Sequence, residues 1–169
     1  MTIEIAAWDR RLARAGPFSC GEPALDRWWR EQAGQAERRG SVRLRLAVVH
    51  GRVVGFCAVT VGERDPHALG GQWRRRPSPV SVVIIARLAV VSVLHGSGVG
   101  TALLLDVFRR LDVVAGHVGF EATTVTAKHP GLVPYYSRFG FQPSDEDERL
   151  LYLSLRELPG AGHDRGHRA

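Results

Sequence analysis

The stretch LHGSGVGTALL, residues 94–104, decides the fold because three alternate glycines join a strand pattern to a helix pattern. Residues 80–91 before it are rich in β-branched side chains and apolar on both faces, which predicts a strand covered on both sides. Apolar residues then recur at helical spacing from Leu103 to Leu111. With a further strand at residues 120–127, the pattern predicts a right-handed parallel crossover.

The glycine turn of this unit predicts an anion site. Backbone N–H groups at a helix N-terminus have no partner within the helix, and the helix dipole favours an anion there. Glycines at positions 96, 98 and 100 remove the side chains that would keep a pyrophosphate away from the main chain. The alternative is a glycine-rich turn that binds no ligand.

Two common phosphate-binding patterns do not fit this loop. A Walker loop ends in Gly-Lys-Ser/Thr, whereas here Gly100 is followed directly by Thr101. A dinucleotide fingerprint needs a third glycine where Thr101 stands. It also needs an acid at the end of a second strand, whereas Glu121 begins a strand. The loop therefore belongs to another class.

The composition predicts a single domain whose cysteines are reduced. The 169 residues, 44% of them apolar, predict a single domain over residues 1–158 and a disordered tail over residues 159–169. No run approaches the ~18 to 20 apolar residues of a membrane helix, and the N-terminus lacks a signal-peptide pattern. Cys20 and Cys57 lie far apart, so we expect free thiols and a cytoplasmic protein. Because His163 and His167 pair only within the tail, no metal site is predicted.

The order of the elements predicts an α/β (α+β) fold with a mixed, mostly antiparallel sheet of six to seven strands flanked by helices. The remaining predicted elements are a strand at residues 3–7, a helix at 23–40, a hairpin of strands at 42–50 and 53–61 around Gly51-Arg52, a loop at 65–79, a short helix at 130–138, and strands beginning at 139 and 150.

The charge of the chain favours a polyanionic ligand. The net charge is +6, and Lys128 is the only lysine. Residues 41–80 carry seven arginines and two acidic residues, including the run Arg74-Arg75-Arg76. Such a segment is typical of a surface that meets nucleic acid or a phosphorylated cofactor. The alternative is an arginine-rich surface that is merely solvated.

Two motifs carry a resemblance to a known family. His95-Gly96-Ser97-Gly98-Val99-Gly100 resembles the loop pattern Q/R-x-x-G-x-G/A, with histidine in the first place. VPYYSRFGFQP, residues 133–143, resembles the pattern A-x-x-F-Y-x-x-F-G-F. The chain is identified on these motifs as a member of the GNAT N-acetyltransferase superfamily. The resemblance implies the GNAT fold, splayed between its strands 4 and 5, and acetyl-CoA as co-substrate.

The same resemblance implies the residues of the active site. The main chain of Leu88, Ala89 and Val90 would hold the pantetheine arm, and the loop would hold the pyrophosphate through residues His95, Gly96, Ser97, Gly98, Val99, Gly100 and Thr101. Tyr136 stands where the family places its catalytic tyrosine, so it would protonate the departing thiolate after direct attack by an amine. Tyr135 is interpreted as a packing residue. No side chain stands out as a general base.

The N-terminal half is similar to one branch of the superfamily, the GNAT toxins of bacterial type II toxin–antitoxin pairs. Their pattern F-x-C-G…L-D-x-W-L…A…G…R…V-x-G-[YF] is matched by Phe18, Cys20, Gly21, Leu25, Asp26, Trp28, Gly40, Arg43, Val54, Gly55 and Phe56. The strand residues Arg87-Leu88-Ala89-Val90 are also typical of these toxins, but Val91 stands where they have an aspartate. The resemblance implies acetylation of the α-amine of aminoacyl-tRNA and a ribbon–helix–helix antitoxin as partner, and it allows a homodimer. The predicted tRNA contacts are Arg43, Arg45, Arg74, Arg75, Arg76 and Arg87.

Two other functions stay open from the sequence. The first is a GNAT enzyme that acetylates a small amine or a protein N-terminus, for which the arginines would be ordinary surface. The second is a non-catalytic module that binds acetyl-CoA or an antitoxin, against which the presence of Tyr136 argues. An α-amine acceptor fits the missing base better, because its pKa of ~7.7 to 8.0 lies well below the ~10.4 of a lysine.

Overall fold

The strands predicted from the sequence form one seven-stranded mixed sheet in the computed structural model, which describes residues 1–159. The sheet order is β1-β2-β3-β4-β5-β7-β6, with β4 and β5 parallel and the other neighbours antiparallel. The strands are β1 (Glu4–Ala7), β2 (Arg43–Val49), β3 (Arg52–Arg64), β4 (Val80–Val90), β5 (Ala122–Thr126), β6 (Gln142–Pro143) and β7 (Leu150–Ser154). The predicted fold class is confirmed, whereas the predicted tail lies, apart from Pro159, outside the described residues.

Helices flank the sheet, and one of them follows the glycine loop as predicted. They are α1 (Arg10–Ala13), α2 (Pro23–Glu31), α3 (Ala33–Arg39), α4 (Pro66–Leu69), α5 (Val99–Val114) and α6 (Val133–Ser137). Within residues 1–159, no helix is both long and apolar enough to cross a membrane.

The first of two compact units comprises residues 1–60 and 85–107. Its core is aromatic, because Phe56 stacks on Trp29 with ring centroids 4.7 Å apart and on Trp28 at 5.8 Å. Helix α2 supplies both tryptophans from its buried face. The end of β4, the glycine loop and the first half of α5 belong to this compact unit.

The second compact unit comprises, among the described residues, residues 61–84 and 108–159. Phe108 is fully buried, and its ring lies 5.9 Å from that of Phe139 and 6.1 Å from that of Phe141. Strands β5 and β7 pair antiparallel over five residues each. The aromatic segment that the sequence analysis singled out is therefore part of a packed core.

The structure corrects several predicted boundaries. The single helix predicted over residues 23–40 is wrong at Gln32, where φ of −122° and ψ of −29° separate α2 from α3. Gln32 has high intrinsic helix propensity, so its residue type gives no signal for this break. The loop predicted over residues 65–79 contains α4, which begins at Pro66 and is capped by the Asp65 side chain. The hairpin turns at His50-Gly51, one residue earlier than predicted.

Candidate active site

The glycine loop leaves open space beside its main chain. Gly96 and Gly98 have φ of 78° and 92°, in the left-handed region that glycine enters without strain. A Cβ built on either residue would meet no atom within 4 Å. There is therefore space for a side chain at both positions. Because both residues are glycines, this space stays open.

The helix after the loop begins at a fixed place relative to the end of β4. Val99, its first residue, is 1% exposed. A Cβ on Gly55 would lie 3.0 Å from both Val99 Cγ1 and the carbonyl oxygen of Ala89. Because Gly55 has no side chain, β3 can lie against both elements. The start of α5 is thus held next to the end of β4.

Two side chains of the loop bond to main-chain carbonyl groups nearby. His95 donates from Nε2 to the carbonyl oxygen of Val90 over 2.8 Å. Ser97 donates from Oγ to the carbonyl oxygen of Leu94 over 2.5 Å. The His95 bond fastens the loop to the end of β4, and the Ser97 bond closes a turn within the loop.

The chain leaves the sheet immediately after β4. The Val91 N–H donates to the carbonyl oxygen of Val54 over 2.8 Å, whereas the Ser92 N–H donates to that of Ser19 over 3.0 Å. Of the predicted pantetheine contacts, Ala89 is buried and the flanking Leu88 and Val90 are half-buried. All three lie on the last extended stretch before the loop, where the sequence placed them.

Tyr136 lies on α6 and is 6% exposed. Its ring packs edge-on against Tyr135 at 5.2 Å and against Phe141 at 6.0 Å. Gly140, with φ of 100°, makes the turn that brings Phe141 back beside the helix. Tyr135 carries the Arg138 guanidinium 5.3 Å above its ring. The two tyrosines therefore differ in surroundings, and Tyr136 is the more enclosed.

Arg45 is the predicted tRNA contact with the least access to solvent. Its side chain is 12% exposed, and its Nε lies 2.8 Å from Oδ2 of Asp106 on α5, which is 11% exposed. Burial raises the pKa of the nearby Cys57 thiol to about 12, and the charge of Asp106 acts in the same direction. The pair therefore ties β2 to α5, and it leaves Cys57 protonated and unreactive.

Arg43 and Arg87 are the other predicted contacts of the first unit. Arg43 is 70% exposed and lies 3.0 Å from Oε1 of Glu37. Arg87 has its guanidinium carbon 4.2 Å from the centre of the Trp28 ring. Burial lowers the pKa of Arg87 below its ordinary value. Both guanidinium groups are oriented by a neighbour, Arg43 by a carboxylate and Arg87 by an aromatic face.

The three consecutive arginines at positions 74–76 lie in the second unit and differ in their ion pairs. Arg74 pairs with Asp145, and Arg76 pairs with Glu121. Arg75 is exposed and forms no ion pair with any residue in the described part of the chain. Of the three, Arg75 is therefore the side chain whose charge is not already matched.

The family model for GNAT acetyltransferases matches residues 4–141. The chain belongs to the GNAT family. It is therefore an N-acetyltransferase that depends on acetyl-CoA. The identification made from the two motifs is confirmed.

Individual relatives of this GNAT enzyme include known toxins. It is 36% identical over 141 residues to a tRNA-acetylating toxin of Mycobacterium tuberculosis (strain ATCC 25618 / H37Rv), covering 83% of this chain and 85% of the relative. The structure of AtaT complexed with acetyl-methionyl-tRNAfMet matches with a TM-score of 0.81 at 21% identity, over 92% of this chain and 96% of AtaT. A tyrosine-to-phenylalanine variant of AtaT bound to the C-terminus of the antitoxin AtaR and acetyl-CoA matches with a TM-score of 0.76 at 21% identity, over 92% and 95%. Both AtaT structures share their fold with this chain.

The glycine loop fits the co-substrate of a GNAT enzyme. Acetyl-CoA carries a pyrophosphate, and the loop offers a helix start with empty space where two Cβ atoms would otherwise stand. Within residues 1–159, no group of three or more His, Cys, Asp or Glu side chains is placed to hold a metal ion.

The structure gives one motif residue a role that the sequence analysis missed. Asp26 accepts hydrogen bonds from the Cys20 N–H at 2.9 Å and from Ser19 Oγ at 3.2 Å. Burial acts to raise the pKa of Asp26, but these bonds and the charge of Arg30 outweigh it, and the pKa lies below its ordinary value. The Asp26 side chain thus stabilises the loop before α2. The signal available in the sequence was the six-residue spacing between Cys20 and Asp26.

Proposed function

We propose that this GNAT enzyme is a toxin that acetylates the α-amine of aminoacyl-tRNA and thereby blocks translation. The observation that carries the proposal is the 36% identity, over most of both chains, to a tRNA-acetylating toxin. The net charge of +6 supports a polyanionic acceptor. Because aminoacyl-tRNA is a cytoplasmic substrate, the proposed reaction is cytoplasmic.

The donor is held by main chain in this proposal. Leu88, Ala89 and Val90 at the end of β4 hold the pantetheine arm, and the amides from Gly96 to Thr101 hold the pyrophosphate. Acetyl-CoA supplies the acetyl thioester. His95 donates to the Val90 carbonyl, so we assign it to fastening the loop rather than to a phosphate contact.

The chemical step needs one proton donor from the protein. The amine nitrogen attacks the thioester carbonyl carbon directly, so that a C–N bond forms and the C–S bond breaks. The Tyr136 hydroxyl donates its proton to the departing sulfur, and the amine proton leaves to solvent. An α-amine with a pKa of ~7.7 to 8.0 is partly neutral at physiological pH, so it can react without a protein base.

We divide the predicted tRNA contacts into three groups by their access to solvent and their ion pairs. Arg75 and Arg87 keep access to solvent and are proposed to meet phosphates. Arg43 is also exposed but pairs with Glu37, so its contribution is proposed to be smaller. Arg45 is enclosed with Asp106 and is proposed to be structural. Arg74 and Arg76 already pair with carboxylates, so their contribution to tRNA binding is proposed to be smaller.

A protein partner is proposed as well. The AtaT variant bound to the C-terminus of AtaR supports an antitoxin as the partner of this chain. That antitoxin is proposed to be a ribbon–helix–helix protein. A homodimer stays a prediction.

The deciding experiment offers acetyl-CoA and three kinds of acceptor to the purified enzyme. The acceptors are total aminoacyl-tRNA, deacylated tRNA, and a mixture of small amines and peptides with free N-termini. Mass spectrometry of nuclease digests should show N-acetylaminoacyl-adenosine from charged tRNA alone. Transfer to small amines or peptides with none to any aminoacyl-tRNA would favour the alternative acceptor and overturn the proposal.

A further inference from the structure

A cleft of about 570 Å³ lies in the first unit, outside the residues assigned to acetyl-CoA. It is lined by α1, the loop that follows α1, and the facing parts of α2 and α3. Trp8, Phe18 and Trp29 form its aromatic side, and the ring of Trp29 lies 5.6 Å from Trp8 and 5.4 Å from Phe18. Trp8 and Phe18 are only half-buried, so their rings are accessible in part.

The polar side of the cleft is almost entirely cationic. Arg10, Arg14, Arg30 and Arg38 line it, and Glu31 is the single acidic residue that does so among the described residues. None of the four arginines forms an ion pair with a residue in the described part of the chain. The cleft therefore presents several positive charges that have no ion-pair partner among residues 1–159, next to aromatic rings.

Three acidic residues near the cleft direct their carboxylates to main-chain N–H groups. Asp9 accepts hydrogen bonds from two N–H groups of α1, at 2.7 and 3.1 Å. Asp26 is bonded to the loop before α2, and Glu37 accepts from the Leu44 N–H at 2.7 Å. These carboxylates accept hydrogen bonds from main-chain N–H groups and form no ion pair with a cleft arginine among the described residues, although the charge of Arg30 still acts on Asp26.

We propose that this cleft binds a single-stranded segment of RNA, with the arginines on its phosphates and an unstacked base against Trp8 and Phe18. Guanidinium groups match phosphate geometry, and aromatic rings stack on bases without regard to sequence. The volume lies within the ~300 to 1,000 Å³ of typical ligand sites. The inference rests on the proposed function, in which it anchors tRNA beside the acetyl donor.

The wall of the cleft is connected to the donor loop. Pro17 and Phe18 line the cleft, and the next residue, Ser19, accepts a hydrogen bond from the Ser92 N–H just before the glycine loop. A Cβ on Gly21 would lie 3.1 Å from Ser92 Oγ.

The nucleotide end of CoA offers the same chemistry as an RNA nucleotide, so the test needs a separate arm for CoA.

The test compares two double variants that remove equal charge from the same helices. R30Q/R38Q changes arginines of the cleft, whereas R27Q/R39Q changes exposed arginines of α2 and α3 that do not line it. Glutamine keeps the helix propensity of arginine. Binding of a short fluorescein-labelled single-stranded RNA is measured by anisotropy across a salt series. CoA and dephospho-CoA are measured by calorimetry, and a polyglutamate peptide by competition.

The expected result separates the two pairs. R30Q/R38Q should weaken RNA binding and reduce the slope of log Kd against log salt by about 0.7 for each phosphate that the variant no longer neutralises. R27Q/R39Q should keep the wild-type slope, and both variants should bind CoA and dephospho-CoA as the wild type does. The assay contains no aminoacyl ester, so its outcome is independent of whether the enzyme acetylates charged tRNA.

Three outcomes would overturn the proposal. Equal losses in both double variants would show a diffuse effect of net charge. A loss of CoA affinity confined to R30Q/R38Q would assign the cleft to the nucleotide of the co-substrate. Unchanged RNA binding with weaker polyglutamate binding would assign it to an acidic protein segment.

Discussion

Gly98 and Gly51 both have φ in the left-handed region, which makes them a matched pair for testing the donor loop. Their φ values are 92° and 72°, and a Cβ on either would meet no atom within 4 Å. Replacing either with glutamate should cost about 1 kcal/mol of stability through backbone strain. Only Gly98→Glu should also lose CoA, because its carboxylate occupies and repels the pyrophosphate position. Calorimetry with CoA that finds equal affinity for both variants would remove the loop from the site.

Tyr136 and Tyr135 allow a similar comparison for the chemical step. Tyr136→Phe keeps the ring that packs against Phe141 and removes only the hydroxyl. We expect it to lower the turnover number by a factor of ~10² to 10⁴ while acetyl-CoA affinity stays unchanged. Tyr135→Phe should keep wild-type turnover. If both variants release the CoA thiol at the same rate, Tyr136 has no role as a general acid.

Single residues also show where prediction from the sequence stops. The glycines of the loop were predictable because their spacing is local and the chemistry of a helix start is general. The partners of the arginines were not, because Arg45 and Asp106 lie 61 positions apart and Arg74 and Asp145 lie 71 apart. The sequence therefore shows that a segment carries arginines. Only the fold decides which of these arginines form ion pairs with carboxylates.

At the scale of elements, the bond of α2 to the preceding loop gives a pH-dependent contribution to stability. The pKa of Asp26 is lowered in the folded state, so its contribution is complete above the ordinary value of 3.8 and is lost as pH falls through the lowered value. Asp26→Asn should reduce the free energy of unfolding by about 1 kcal/mol at neutral pH. Urea titrations at decreasing pH should show this difference shrinking. A difference that is constant into acid would contradict the assignment.

Most elements were predictable because each one carries a local pattern. The doubly apolar β4 and the amphipathic α5 are long enough for their periods to be read from the sequence. The break at Gln32 and the four-residue helices α1 and α4 were missed. The two helices are too short for a period, and only their caps at Asp9 and Asp65 mark them.

At the scale of the whole molecule, the net charge of +6 predicts that activity on tRNA falls as salt increases. Arg75→Glu tests this without breaking an ion pair, whereas reversing all three arginines would also place glutamates against Asp145 and Glu121. We expect Arg75→Glu to raise the KM for charged tRNA and to leave the KM for acetyl-CoA unchanged. It should also reduce the salt slope by about 0.7 to 0.9 for each phosphate that is no longer neutralised.

A matched control for this charge reversal is Arg109→Glu, an exposed arginine of α5 that is not among the proposed tRNA contacts. It changes the net charge equally. A KM for tRNA that rises as much in Arg109→Glu as in Arg75→Glu would show that Arg75 makes no local contact.

The division of the chain into two interleaved units has a consequence for its synthesis on the ribosome. The first unit needs residues 1–60 and 85–107, and the second needs residues 61–84 together with the chain from Phe108 onward. At ~5 to 20 residues per second, the ribosome takes roughly 2 to 10 s after residue 60 to deliver the end of the first unit. Until residue 90 is made within that interval, β3 lacks its neighbour β4 and the aromatic core around Phe56 lacks Ala89. Neither unit corresponds to a continuous piece of the gene, so no single cut in the gene divides the chain into separately folding halves.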